Sequence, residues 1–354
     1  MKSLHDEIEC NETAKLHIIG LTLETRPDTI NLDEIKNFRR YNATRIQLGV
    51  QHTDNNVLKK INRGHNNECV YDAIKLLKDN GYKVDIHLMP NLPGSSYEQD
   101  VKMLDEILYD QKIQADQLKI YPCAIVPFTK IKEWYDNGQF VPYPEDKLFE
   151  LIKNFKKKVQ TYKRLNRIIR DIPSTYIQAG YSNKSVNLRQ LMQKDMKDNN
   201  WSCKCIRCRE INNNEIDIYD IQLKHIIYKA SDGDEHFISY ETNDYLIGFI
   251  RLRIVDKVSE QLDILKNCAL IRELHVYSNL CCVGDNNKKS MQHRGFGKQL
   301  IKKAEEIACH YGKYKIAIIS GTGVRDYYRK LGYKLEDTYM IKKLHNPFSL
   351  CIIQ

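Results

Sequence analysis

Several groups of residues in this sequence are of the right type and spacing to do chemistry. In "MQHRGFGKQLIKKAEEIA", Gly295 and Gly297 stand just ahead of Leu300, Ile301, Ala304, Ile307 and Ala308, apolar positions at helical spacing. The first amides of a helix have no internal partner and carry the positive end of its dipole. A turn without side chains at that point lets a phosphate approach the backbone. Arg294 adds a guanidinium whose fork of donors suits a diphosphate, and Gln292, Phe296 and Lys298 complete the turn. Glycine at a helix entrance also serves plain capping geometry, so the surroundings must decide. A second group, "CKCIRC", places Cys203, Cys205 and Cys208 close enough for their thiolates to meet at one ion, with tetrahedral zinc the natural occupant. His225, His236 and His275 are candidates for a fourth ligand, and reduced cysteines in a loop are the alternative. The third group is basic. Lys156, Lys157, Lys158, Lys163, Arg164, Arg167 and Arg170 crowd into "KNFKKKVQTYKRLNRIIR" with Phe155 and Tyr162 interleaved, either a phosphate-contacting surface or a solvated helix face.

The elements that must position these residues follow from periodicity. "NLDEIKNFRRY" and "CVYDAIKLLKDNG" read as helices between the strand-like "KLHIIGLTL", "RIQLGV" and "KVDIHLM", an alternation that predicts parallel βα units. Beyond "CKCIRC" the pattern changes to paired strands, "DEHFISYET" and "DYLIGFIRLRIV". The strand "CALIRELHVYS", the glycine turn and helix, the strand "KYKIAIISG", the helix "VRDYYRKLG" and the strand "TYMIKKL" follow. The chain has 354 residues, long enough for two cores at roughly 100–200 residues per domain. Charged residues at 29% and hydrophobic ones at 42% describe a folded globular protein, and no apolar run approaches the ~20 residues of a membrane span. The polar N-terminus does not read as a signal peptide, so the expectation is a cytoplasmic protein with a nuclear location also open and 11 reduced or metal-bound cysteines. A net charge of +9 favours an acidic partner.

The order strand, "QHRGFG", helix, strand, helix, "YRKLGY" resembles the GNAT acetyltransferase superfamily. That resemblance implies that acetyl-CoA lies between the strand Glu273, Leu274, His275, Val276 and the turn Phe296, Gly297, Lys298, with Tyr328 near its sulfur. There a phenol would protonate the departing thiolate, and Tyr327 is its neighbouring competitor. Glu273 and His275 alternate onto one strand face, either core or cleft. Together with "LTLETRPD", "RIQLGVQHTDNNVLKKINRGH", "HLMPNLPG", "RIIRDIP" and "LRQLMQKDM", these motifs resemble the catalytic subunit family of Elongator, elongator protein three, from about Leu4 to Leu344. The resemblance implies an α/β architecture: a partial radical SAM-type βα barrel over 1–174, a linker with a structural zinc over 175–215, and a mixed-sheet GNAT domain over 216–354. It further implies a tRNA wobble-uridine acetyltransferase that uses acetyl-CoA, S-adenosylmethionine and an iron–sulfur cluster to build a carboxymethyl-type group on carbon five. The partners implied are tRNA, other Elongator-like subunits or a separate cluster-bearing N-terminal fragment, with no membrane. Gln51 and "HLMP" match positions near the S-adenosylmethionine pocket. Cys10, Cys69 and Cys123 are too dispersed to be the family's cluster ligands, which are expected upstream of this chain. A protein lysine N-acetyltransferase and a non-catalytic tRNA-binding subunit are the other readings.

Overall fold

The structure, a computed structural model, describes residues 2–169, 172–181, 188–211, 216–255, 260–277 and 295–344. After helix α1 (Leu4–Thr13), strand β1 (Leu21–Thr25) leads into α2 (Leu32–Arg40), β2 (Ala43–Gln51), α3 (Asn55–Lys60), α4 (Asn67–Asp79), β3 (Lys83–Leu88), α5 (Tyr97–Tyr109) and β4 (Gln117–Ile120). Helices α6 (Lys130–Asp136) and α7 (Glu145–Lys158) precede β5 (Arg164–Arg167). The five strands form one sheet in chain order, every neighbouring pair parallel. The connecting helices are built as their sequences dictate. Asn31 caps α2 by accepting from the Asp33 and Glu34 amides, and Ser96 and Gln99 form a reciprocal capping box on α5. On α4, Val70, Ala73, Ile74 and Leu77 turn one buried stripe to the sheet.

Helices α8 (Leu188–Asp198) and α9 (Ile206–Arg209) come next. Leu188, Met192, Cys203 and Cys205 join the apolar core of the first sheet, so the stretch read as a linker packs on the barrel. A seven-stranded sheet follows: β6 (Gln222–Ala230), β7 (Gly233–Glu241), β8 (Leu246–Ile254), β9 (Cys268–Val276), β10 (Lys315–Ile318), β11 (Lys334–Glu336) and β12 (Tyr339–Lys343). Its order is β11-β12-β10-β9-β8-β7-β6, with β9 and β10 parallel and the other pairs antiparallel. Helix α10 (Phe296–His310) lays Leu300, Ile301, Ala304 and Ala308 on Ile250, Leu252, Ala269 and Ile316, and α11 (Arg325–Arg329) closes that core with Tyr328. No helix among the described residues is long and apolar enough to cross a membrane.

The two sheets share an interior. Leu265, Cys268, Leu270, Ala317, Tyr339 and Ile341 of the second domain pack into the same apolar cluster as Ile35, Ile74, Leu77 and Tyr82 of the first domain. Beside this cluster lies a buried ionic network. Arg253 donates to Asp79 at 2.5 and 2.8 Å, and Arg272 grips both oxygens of Asp116 at 2.7 Å. Lys78 lies 3.4 Å from Asp116 and 3.5 Å from Glu235, all three buried. Removing one partner of such a buried pair typically costs about 3–5 kcal/mol, because the other charge is left desolvated and unpaired.

The basic run does not form one surface, because it is split between α7 and β5. Lys156 and Lys163 are 1% and 0% exposed, which removes both from any phosphate-contacting face. The Lys163 ammonium donates to the Ala115 carbonyl at 3.3 Å, and burial pushes its pKa down to about 7. Lys158 is paired with Asp105, Arg164 with Glu210, and Lys157 lies over the Trp201 ring. Lys157 and Arg167 are exposed, and Arg170 falls outside the described residues.

Across the second sheet, His236 is buried, its Nδ1 lies 2.9 Å from Nε2 of His225, and its own Nε2 has no partner. Burial holds its pKa down at about 4, against 6.5 for an ordinary histidine. The unfolded chain therefore binds this proton first. Stability should decline as pH falls from 6.5 toward about 4, with a slope of up to about one proton. Urea melts across that window, repeated on His236→Leu, test this. A variant with an undiminished slope would assign the dependence to another group.

Candidate active site

The parallel pair β9–β10 is hydrogen-bonded in register from Lys315↔Cys268 to Ile318↔Ile271, and β9 then continues alone on that side to Val276. The cause is a β-bulge. Against β8, Arg251 faces Glu273 but Leu252 faces Ile271, so Arg272 is an extra residue that bends β9 away from β10. The resulting cleft has a volume of about 1000 Å³. One wall is Glu273, Leu274, His275 and Val276, and the other is Ile318–Gly321 with Tyr327 and Tyr328. Gly295, Gly297 and Lys298 sit at one end, while Thr22, Arg45 and Lys83 of the first sheet close the other side.

The glycine turn is as the sequence requires. Gly295 caps α10 with φ of 80°, the left-handed conformation that glycine adopts without strain, and has no side chain to occupy the amides behind it. At Gly297 a Cβ would come within 2.7 Å of the Tyr327 hydroxyl, so the phenol itself lies on the bare helix entrance. Gln292 and Arg294 fall outside the described residues.

Glu273 and His275 both face the cleft. Glu273 is 5% exposed, and His275 Nε2 lies 3.3 Å from its Oε1. Burial alone would raise the Glu273 carboxyl. The hydrogen bond from His275 and the Arg251 guanidinium at 2.9 Å outweigh it and hold the group well below the ordinary carboxylate range. Glu273 is thus a fixed anion and a poor base. His275 is half-exposed, stacked 5.8 Å from the Tyr277 ring, and is the side chain of the pair open to a ligand.

Tyr328 is 7% exposed and edge-on to Tyr333, while Tyr327 is 36% exposed. Burial raises the Tyr328 phenol above its ordinary value of 10.0, which keeps it protonated at neutral pH. The wall contributed by Thr22, Arg45 and Lys83 escaped sequence reading, because nothing local ties a barrel strand to a cleft so far along the chain. The Tyr327 contact with Gly297 escaped it for the same reason.

The sulfur atoms of Cys203, Cys205 and Cys208 lie within 4.8 Å of one another, so the thiols do converge. None of His225, His236 or His275 joins them among the described residues. His225 and His236 pair with each other, and His275 lines the cleft. Lys156 is a charged neighbour, its ammonium 3.7 Å from Cys208 Sγ. At the C-terminal edge of the first sheet, Gln51 has φ of 72° and its carbonyl accepts from the Met89 amide at 2.8 Å, so the two sequence motifs assigned to that edge do meet.

Comparison with known proteins agrees with this architecture. Residues 3–107 match the Radical SAM superfamily, 115–198 the Radical_SAM C-terminal domain and 198–333 the Acetyltransferase (GNAT) family. The chain is 42% identical over 353 residues to a tRNA uridine(34) acetyltransferase of Methanocaldococcus infernus, covering 97% of this chain and 66% of the relative. Another protein of that name, from Dehalococcoides mccartyi, is 38% identical with 97% and 75% covered. Elongator complex protein 3 of Homo sapiens is 35% identical with 97% and 63% covered, so the chain spans about two thirds of the length of these relatives. The solved archaeal Methanocaldococcus infernus Elp3 with an N-terminal deletion superposes with a TM-score of 0.89 at 42% identity, covering 97% of this chain and 82% of that one. A parallel sheet joined to a GNAT-type sheet with a splayed strand pair, and identity running through both, place this chain in the Elongator protein 3 family of radical SAM and GNAT acetyltransferase proteins.

Proposed function

We propose that this chain acts as an Elongator-type tRNA wobble-uridine acetyltransferase, using acetyl-CoA to help form the carboxymethyl-type group on carbon five of uridine. The observation that carries the reading is the cleft itself, an unpaired strand edge leading from a bare helix N-terminus to a buried phenol, with the barrel as its far wall. In this reading the amides of Phe296, Gly297 and Lys298 receive the diphosphate. The free edge of Glu273–Val276 receives the pantetheine amides and the acetyl carbonyl, as an added strand would be received. Arg294 and Gln292, outside the described residues, are assigned to the diphosphate from the sequence alone. Tyr328 gives its proton to the departing thiolate, and His275, oriented by Glu273, faces the acetyl end. Lys157 and Arg167, both exposed, are assigned to tRNA phosphates.

A zinc ion would be held by Cys203, Cys205 and Cys208, where it would serve structure. Cys205→Ser is expected to release zinc from the purified protein. Stoichiometric zinc in that variant, measured by plasma emission, would remove the ligand assignment. Cys10, Cys69 and Cys123 do not form an iron–sulfur ligand set among the described residues. Cys123 is buried among Val57 and Leu92 with its thiol pushed up to about 12, and Cys10 and Cys69 do not approach it as a ligand group. Gln51 with the "HLMP" segment is the proposed S-adenosylmethionine edge. The reading is tested by acetyl-CoA hydrolysis with and without tRNA. Stimulation by tRNA is expected. Hydrolysis that answers to a lysine peptide instead of tRNA would point to a protein acetyltransferase, and tRNA binding without hydrolysis to a binding subunit.

A further inference from the structure

The bulge that opens the cleft is held from outside its own domain. Arg272, the extra residue of β9, is fully buried. Its Nη1 donates to Asp116 Oδ2 and its Nη2 to Asp116 Oδ1, both at 2.7 Å, and Nη1 also donates to the Tyr82 carbonyl at 2.8 Å. Both acceptor residues lie in the first domain, at the entrance ends of β3 and β4. Asp116 is itself immobilised, since its Oδ2 accepts from the Val84 amide at 2.9 Å and its own amide donates to the Val84 carbonyl at 3.0 Å. Inside the second domain, Glu235 completes the guanidinium shell at 2.7 Å. One residue on, Glu273 is held by Arg251, whose Nη2 donates to the Tyr162 carbonyl of the first domain at 2.6 Å.

We propose that Asp116 is a positioning residue for the acyl-CoA cleft: its fork with Arg272 fixes the bulge and thereby the separation of β9 from β10. This rests on the acyl-CoA reading of the cleft and adds a cross-domain determinant to it. An extra strand residue can be absorbed in more than one way, and a planar two-bond contact selects one of them because both bonds fail together when the guanidinium rotates. The unpaired edge Glu273–Val276 begins at that residue, so its direction is set where Asp116 holds it. Lys78 and Arg253 belong to the same network but bond no atom of Arg272, Glu273 or His275 among the described residues. They stabilise the junction without aiming the strand.

The test uses the full chain with Asp116→Asn/Arg272→Gln, which removes one positive and one negative charge together and leaves the buried network balanced. Arg253→Met serves as a comparison of similar burial. CoA affinity is measured by calorimetry, and amide hydrogen exchange is followed across 272–276. The double variant is expected to bind CoA at least about tenfold more weakly and to exchange faster at Glu273–Val276, because sub-ångström displacement of a binding edge is enough to cost that much. Arg253→Met should lose stability and keep both readouts. If the double variant unfolds, Arg272→Lys, which keeps the charge and loses the fork, is expected to show the same pair of effects. Parental affinity together with parental exchange in a folded fork variant would overturn the proposal. If the parent itself binds no CoA, the acyl-CoA reading falls, while the exchange comparison still decides whether the fork holds the bulge.

Discussion

Gly297→Asp is expected to abolish CoA binding, weakening it by about 100-fold or more, with little change in melting temperature. Two effects act together. The new Cβ would come within 2.7 Å of the Tyr327 hydroxyl, and the carboxylate would stand among the first amides of α10, where the diphosphate is proposed to bind. Gly297→Ala separates them. Alanine is the better helix former by about 1 kcal/mol, so this variant should be at least as stable as the parent, and only the steric contact should weaken binding. Calorimetric titration with CoA decides. Unchanged affinity in Gly297→Asp would mean that the diphosphate lies elsewhere.

Tyr328→Phe is expected to lower acetyl-CoA turnover by about 100-fold or more, within the usual contribution of a positioned acid, while leaving CoA affinity near the parental value. The ring would keep its edge-on contact with Tyr333, so stability should hold. Because burial raises the phenol, the proton is retained through neutral and mildly alkaline pH. The parental rate should therefore show no loss from this group until well above pH 10.0. Tyr327→Phe should affect affinity more than turnover, since its hydroxyl lies on the glycine turn. A Tyr328→Phe enzyme with full turnover would shift the acid role to another donor.

The parts of this fold that the sequence discloses are those with a strong local period. Helix α10, with its stripe from Leu300 to Ala308, and strands β7 and β8 lie where alternation and helical spacing put them. Strand β6 did not stand out because it is an edge strand with mostly exposed side chains, and β11 is only 3 residues long. The glycine turn and the convergence of Cys203, Cys205 and Cys208 were legible because each lies within a few residues of chain. The barrel wall of the cleft was not, and neither was the burial of Lys156 and Lys163. Lysines in a basic run read as solvated, and the groups that hold them inside come from distant segments. Lys78 shows the same limit, since one of its carboxylate neighbours, Glu235, is 157 residues away.

The apolar interior common to both sheets bears on how the chain comes apart. Tyr339 of the last strand donates to the Asn80 carbonyl at 2.8 Å, and Arg39 donates to the Thr338 carbonyl at 2.6 Å, so the closing hairpin of the second sheet is tied to helices of the first. Neither half can lose its packing while the other keeps its own. Heat denaturation of the chain should therefore proceed as one calorimetric transition with coincident loss of both halves. A temperature-sensitive substitution in the barrel would then silence acetyl-CoA binding at the same temperature as one placed in the cleft.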